Sequence, residues 1–124
     1  EEVLTKSDFV SLNCPLTPQT HHMINEKTLA LMKDTAFIIN TARGPLIDEG
    51  ALIKAINTGV IAGAGLDVQE VEPLADTSPL YTMDKVIITP HIGWRGLETR
   101  QRLVSIIKSN ITAFAEGHPI NLIE

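Results

Sequence analysis

Short apolar runs separated by polar turns lay out this chain, and their period switches between that of a strand and that of a helix. Phe9-Val10-Ser11-Leu12 is the first run, stopped by Asn13-Cys14-Pro15, because Pro15 has no amide to give a ladder. Asn25 stands where an N-cap belongs and predicts a short helix over Glu26 to Met32. Ala36 to Asn40 reads as an unbroken apolar run, the pattern of a strand covered on both faces. Asp48 then predicts a capped helix whose Leu52, Ala55 and Ile56 fall at i, i+3 and i+4, with Gly59 as its left-handed stop. Ile61 to Leu66 forms a third strand, with small residues at Gly63, Ala64 and Gly65, and Val86-Ile87-Ile88 a fourth. Between them, residues 68 to 84 carry Pro73 and Pro79 without a period; loops of that length in compact domains are usually functional. A last helix is expected from about Gly96 to Glu116, with Leu103, Ile107, Ile111 and Phe114 on one stripe and Gly117 at its end.

Strands alternating with helices imply an α/β fold with a parallel sheet and right-handed crossovers. Such sheets present chemistry at the carboxyl ends of their strands. Three groups follow apolar runs in this way: Arg43, Glu72 and His91. A cation, a carboxylate and an imidazole at one sheet end are expected to share one crevice, and they suit a 2-oxo or 2-hydroxy acid.

Each group has a plain reading beside the chemical one. Arg43 precedes Gly44, so the backbone turns sharply while the planar fork is free to bind a carboxylate through two parallel bonds. The plain alternative is a surface arginine pairing with Asp48 or Glu49. Histidine, with an unperturbed pKa of about 6.5, exchanges protons at neutral pH, which suits His91 to acid/base work; a structural role is the alternative. A glutamate at position 72 beside that imidazole would fix its tautomer and favour its protonated form, or else be a solvated loop residue. Asp67, ending the third strand, is a further crevice residue that either accepts a hydrogen bond from a carboxamide or caps the next turn. Gly63-x-Gly65 lies inside a strand, with Val68 where a third glycine would be needed, so these glycines read as packing sites and not as a dinucleotide fingerprint. Cys14, His21 and His22 show no metal-ligand spacing and read as structural; no metal is expected.

Composition narrows the class further. At 124 residues the chain fits one domain, and 44% hydrophobic content with 20% charge is that of a globular protein. A net charge of −5 argues against nucleic acid as a partner. No apolar run is long enough for a membrane span, and the acidic start Glu1-Glu2-Val3-Leu4 does not resemble a secretory leader. The single Cys14 excludes an intrachain disulfide and fits a cytoplasmic setting.

Five ordered blocks then resemble the D-isomer-specific 2-hydroxyacid dehydrogenase family. They are Ser11-Leu12-Asn13-Cys14-Pro15-Leu16-Thr17-Pro18-x-Thr20, Ile39-Asn40-Thr41-Ala42-Arg43-Gly44, Gly65-Leu66-Asp67-Val68, Glu72-Pro73 and Thr89-Pro90-His91-Ile92-Gly93. The resemblance implies a Rossmann-like fold and three catalytic roles: Arg43 binding the substrate carboxylate and carbonyl, His91 as acid/base, and Glu72 orienting it. It also implies a nicotinamide site around Thr41, Ala42, Asp67, His91 and Gly93, with Cys14, Pro15 and Thr20 on the adenosine and ribose side. The segment through Trp94 and Glu98 to Leu103 is most similar to the glycerate dehydrogenase and hydroxypyruvate reductase branch of the family. The family's glycine-rich turn and its substrate-binding domain have no counterpart here. The resemblance therefore implies the C-terminal half of a NAD(P)-binding domain, inactive alone, from a parent expected to be a homodimer. Two other readings stay open: a non-catalytic, corepressor-like NAD-binding module, and a phosphoglycerate or lactate dehydrogenase of the same family.

Overall fold

A computed structural model describes residues 1–123 and resolves them into two units, one from Glu1 to His91 and one from Ile92 onward. In the first unit the order is α1 (Glu2–Lys6), β1 (Phe9–Leu12), α2 (Glu26–Leu29), β2 (Phe37–Asn40), α3 (Glu49–Asn57), β3 (Gly63–Leu66) and β4 (Val86–Ile88). Two 3-10 turns, Gly44–Leu46 and Pro79–Thr82, interrupt the connections. The four strands are all parallel in the order β1-β2-β3-β4, so every carboxyl end lies at the same end of the sheet. That end carries the segments in which the candidate residues lie.

Local signals produce the elements they predict. Asn25 accepts from the amides of Lys27 and Thr28, and Thr28 returns the favour by accepting from the Asn25 amide, a reciprocal cap. Asp48 accepts from Ala51 N at 2.9 Å and opens α3, whose Leu52, Ala55 and Ile56 are all buried. Gly59 ends it with φ 74, the left-handed conformation that glycine adopts without steric cost.

Three expectations are corrected. The helix expected to reach Met32 ends at Leu29, because Leu31 N and Met32 N bond to carbonyls three residues back and tighten the last turn into 3-10 geometry. The third strand begins at Gly63 and not at Ile61, which is buried ahead of the ladder. β2 is not equally covered on both faces. Ile38 and Asn40 are buried while Phe37 and Ile39 are half-buried. α1 carried no clear signal in the sequence; its Lys6 Nζ bonds Glu2 Oε1 one turn away at 2.7 Å.

The core lies against one face of the sheet. Register aligns Val10, Ile38 and Ala64 in one row and Leu12, Asn40 and Leu66 in the next, all buried, and Leu29, Leu46, Leu52 and Ile61 pack against them. On the opposite face Phe9 stacks on Phe37 at 5.6 Å, and Gly63 and Gly65 keep the neighbouring positions flat. A Cβ on Gly63 would meet Lys85 O at 2.2 Å, and one on Gly65 would meet Ile39 Cδ1 at 3.1 Å. Both glycines are packing sites, as their position inside a strand implied.

The second unit is dominated by α4 (Leu97–Ala115), which ends at Gly117 with φ 78. None of its residues is buried, so the apolar stripe through Leu103, Ile107, Ile111 and Phe114 is exposed. The Arg100 guanidinium lies 5.9 Å from the Trp94 ring, within cation–π range. No helix among the described residues is long and apolar enough to cross a membrane.

Candidate active site

The turn after β2 is shaped from within the sheet. Asn40 is the last residue of the strand, and its side chain is buried. Its carboxamide accepts from Ala42 N at 3.1 Å and donates to Arg43 O at 2.9 Å, clamping Thr41, Ala42 and Arg43 into one bend. Arg43 emerges exposed, with Nη1 donating to Ala42 O at 2.6 Å. The plain alternative fails here, because the two nearby carboxylates are otherwise engaged. Asp48 caps α3, and Glu49 accepts from Glu70 N at 3.4 Å. Among the described residues Arg43 makes no ion pair, which leaves its fork available to an anion.

Gly44 locks this bend onto the segment after β3. A Cβ at that position would lie 1.7 Å from Gln69 O and 2.6 Å from Glu70 N, so only glycine allows the two backbones to touch. Gln69, itself buried, points its amide at Glu72 Oε1 at 3.1 Å. The second oxygen of that carboxylate meets His91 Nδ1 at 2.8 Å. A carboxylate accepting both an amide and a ring N–H is stabilised in its charged form. The Glu72 carboxyl accordingly lies below its ordinary pKa, chiefly through the hydrogen bond from His91.

His91 is held on the other side as well. Its backbone is left-handed at φ 51, a conformation that costs a non-glycine residue of order ~1–3 kcal/mol and persists only where surroundings impose it. The imposing contacts are its amide on Thr89 O at 3.0 Å and its ring on Glu72. Thr89 is tied in turn to β3, because its hydroxyl donates to Asp67 Oδ1 and its amide to Leu66 O at 2.9 Å. Asp67 thus braces the ends of β3 and β4 together, a role neither of its two sequence readings anticipated.

Two hollows open at this end of the sheet, with Glu72 and His91 lining one and Arg43 the other. One, of about 610 Å³, is lined by Gln69, Glu72, Leu74, Tyr81, Pro90 and His91 among others. The other, of about 560 Å³, runs from Asn13, Cys14, Pro15 and Leu16 after β1 to Thr41, Ala42 and Arg43 after β2. Thr20 lines neither; its hydroxyl donates to Pro15 O at 2.8 Å and shapes the turn that presents Cys14 and Pro15. Gly93 belongs to the second unit. Asn40, Gln69 and Glu70 had no role assigned from sequence, and His22 read as structural without its partner. For Asn40 a signal existed, since a polar residue ending an apolar strand before a turn is a bend former. The others find their partners only in three dimensions.

Comparison with known proteins identifies the relatives of this chain. The chain is 44% identical over 123 residues to the hydroxypyruvate reductase of Blautia hydrogenotrophica, covering 99% of this chain and 38% of that protein. It is 49% identical over 117 residues to the glyoxylate reductase of Thermofilum pendens, covering 94% of this chain and 34% of the relative. The chain therefore spans well under half the length of these curated relatives. Among solved structures, the NAD-complexed D-isomer specific 2-hydroxyacid dehydrogenase of Lactobacillus delbrueckii ssp. bulgaricus superposes with a TM-score of 0.89 at 39% identity, covering 98% of this chain and 42% of that one. The family model for the D-isomer specific 2-hydroxyacid dehydrogenase, NAD binding domain, matches residues 1–93, the stretch that holds the sheet, both hollows and the Glu72–His91 pair. By sequence and by fold, this chain belongs to that family.

Proposed function

We propose that these residues are the C-terminal part of the NAD(P)-binding domain of a D-2-hydroxyacid dehydrogenase that reduces a small 2-oxo acid of the glyoxylate or hydroxypyruvate type. The observation that carries this reading is the Glu72–His91 pair at 2.8 Å beside an open hollow, with the exposed Arg43 on a turn locked to the same segment. Arg43 binds the substrate carboxylate through two parallel N–H bonds from its guanidinium. His91 donates a proton to the carbonyl oxygen as the carbonyl carbon is reduced, and takes it back in the reverse direction. Glu72 keeps the ring oriented through its 2.8 Å contact with Nδ1, leaving the other ring nitrogen for the substrate.

A bound reduced nicotinamide, NADH or NADPH, supplies the hydride. The groove that includes Cys14, Pro15, Thr41 and Ala42 suits such a cofactor, since it lies at the carboxyl ends of adjacent parallel strands. Asp67 contributes by tying the ends of β3 and β4 together next to His91, and Gly93 follows His91 in the chain. The whole protein is read as a cytoplasmic homodimer.

Steady-state reduction of glyoxylate and hydroxypyruvate by the whole protein, with each nicotinamide cofactor, tests the reading. Arg43→Lys keeps the charge but loses the two-point fork, so kcat/KM for the 2-oxo acid should fall by roughly tenfold or more while cofactor affinity holds. Equal kcat/KM in the variant would remove Arg43 from the substrate site. Absence of turnover with any small 2-oxo acid would favour a non-catalytic module.

A further inference from the structure

A second histidine–carboxylate pair is built on Glu70, which lies two residues upstream of Glu72 on the same loop and borders a void of only about 10 Å³. His22 Nε2 meets Glu70 Oε1 at 2.7 Å, joining the β1–α2 connection to the segment after β3. The other oxygen, Glu70 Oε2, accepts from Glu49 N at 3.1 Å at the start of α3, and Glu70 N donates to Glu49 Oε2 at 3.4 Å. The backbone of His22 is fixed too, because its amide donates to Pro45 O at 2.8 Å and its φ of 50 is left-handed. Pro45 belongs to the 3-10 turn that follows Arg43. The same turn continues into the Ile24–Ile47 bridge, where Asp48 N donates to Ile24 O at 2.8 Å.

Three connections therefore converge on Glu70: the one after β1, the turn bearing Arg43, and the N-terminus of α3. Its neighbour Gln69 is pressed against Gly44 and gives its amide to Glu72. A displacement of Glu70 moves the Gln69 amide, and with it one of the two bonds that aim the Glu72 carboxylate at His91. Glu72 has little else to hold it. Its side chain is 35% exposed, and Asp67 is the other nearby charge, which acts against its ionised form.

We propose that Glu70, clamped by His22 and Glu49, is a positioning residue that sets the Arg43 turn and the Glu72–His91 pair in register. This rests on the reading of Glu72 and His91 as the acid/base pair. Glu70 touches no reacting atom. It acts by fixing the Gln69 backbone amide, and so by fixing how the Glu72 carboxylate is aimed at His91.

The test uses the whole protein and three variants, Glu70→Ala, Glu70→Gln and Glu72→Gln, with pH profiles of kcat for 2-oxo acid reduction. Glu70→Ala should lower kcat by about tenfold, within the range of a weakened acid catalyst. It should also move the loss of reductive activity to lower pH, in the same direction as Glu72→Gln and by a smaller amount. Glu70→Gln can still accept from the Glu49 amide and reach His22, so it should restore most of the rate and return the profile toward wild type. Substrate KM should change less than kcat in both Glu70 variants. A merely structural residue would lower the melting temperature and the active fraction without moving the profile. A shifted profile for Glu72→Gln with an unshifted one for Glu70→Ala would overturn the positioning role alone. An unshifted profile in Glu72→Gln itself would overturn the acid/base reading beneath it.

Discussion

Glu70 and Glu72, two residues apart, each pair with a left-handed histidine at nearly the same distance, 2.7 Å to His22 and 2.8 Å to His91. Each carboxylate also takes a backbone amide on its second oxygen, from Glu49 and from Gln69 respectively. By residue type, spacing and hydrogen bonding the pairs are close to interchangeable. They differ in what lies beside them. The Glu72–His91 pair lines a hollow of about 610 Å³, whereas Glu70 and Glu49 border a void of about 10 Å³, room for one water at most. An acid/base pair needs space for a substrate; a brace needs none. The same chemical unit thus serves two ends of one loop, and accessible volume decides which of them is positioned to react.

The largest effect expected separates the two histidines. His91→Ala in the whole protein should lose ~10²–10⁴-fold in turnover at saturating cofactor, the usual worth of a general acid. His22→Ala should stay within about tenfold in turnover and lower thermal stability instead, as loss of a hydrogen bond typically costs about 0.5–1.5 kcal/mol. Equal losses of turnover in the two variants would erase the distinction.

Next comes the joint between the Arg43 turn and the loop that carries both pairs. Gly44→Ala forces a methyl group to within 1.7 Å of Gln69 O, so one backbone segment must retreat. Overpacking of this kind costs about 1–3 kcal/mol or more, and urea unfolding should show a lower midpoint with an unchanged slope. Because both carboxylates lie on the displaced segment, turnover should fall as well. A variant with wild-type midpoint and rate would mean that the two segments move independently.

The smallest effect is one of sign. Hydrogen bonding from His91 holds the Glu72 carboxyl below its ordinary value of 4.5. Its contribution to stability is therefore present above that value and is lost as pH falls through the lower, folded-state one. Glu49 behaves oppositely, since burial pushes its carboxyl above 4.5 and the adjacent Glu70 charge adds to the rise. Its ionised form is disfavoured in the fold, so stability is gained as pH falls through the raised value toward 4.5. Glu72→Gln should thus flatten the acid-side loss of stability. Glu49→Gln should leave stability level or slightly raised at neutral pH and lose that advantage on acidification. Matching pH–stability curves for the two variants would show that the two carboxylates share one environment.

Much of the frame was legible because its causes are local. Asp48, Gly59 and Asn25 act on amides within a few residues or on their own backbone, and β1 and β4 were bounded by the turn formers around them. Arg43, Glu72 and His91 stood out by type and by position after apolar runs, and the Glu72–His91 contact followed from what the two groups do for each other. Asn40 carried a readable signal that a strand pattern concealed. His22 looked inert in sequence because its partner lies 48 residues away. Gln69 was equally silent, since its importance comes from the backbone of Gly44 pressing on it.

By itself, the sequence determined the alternation of strands and helices, the caps, the family and the identity of the candidate acid, base and anion-binding groups. Those follow from periodicity, from bonds spanning a few residues and from ordered motifs. Tertiary structure alone decided the rest: that Asn40 clamps the turn bearing Arg43, that Asp67 braces Thr89, and that one histidine–carboxylate pair is a strut while the other has room to react. Hydrogen-bond partners distant in sequence and the volume left unfilled beside a side chain are properties of the packed chain, and no local pattern encodes them.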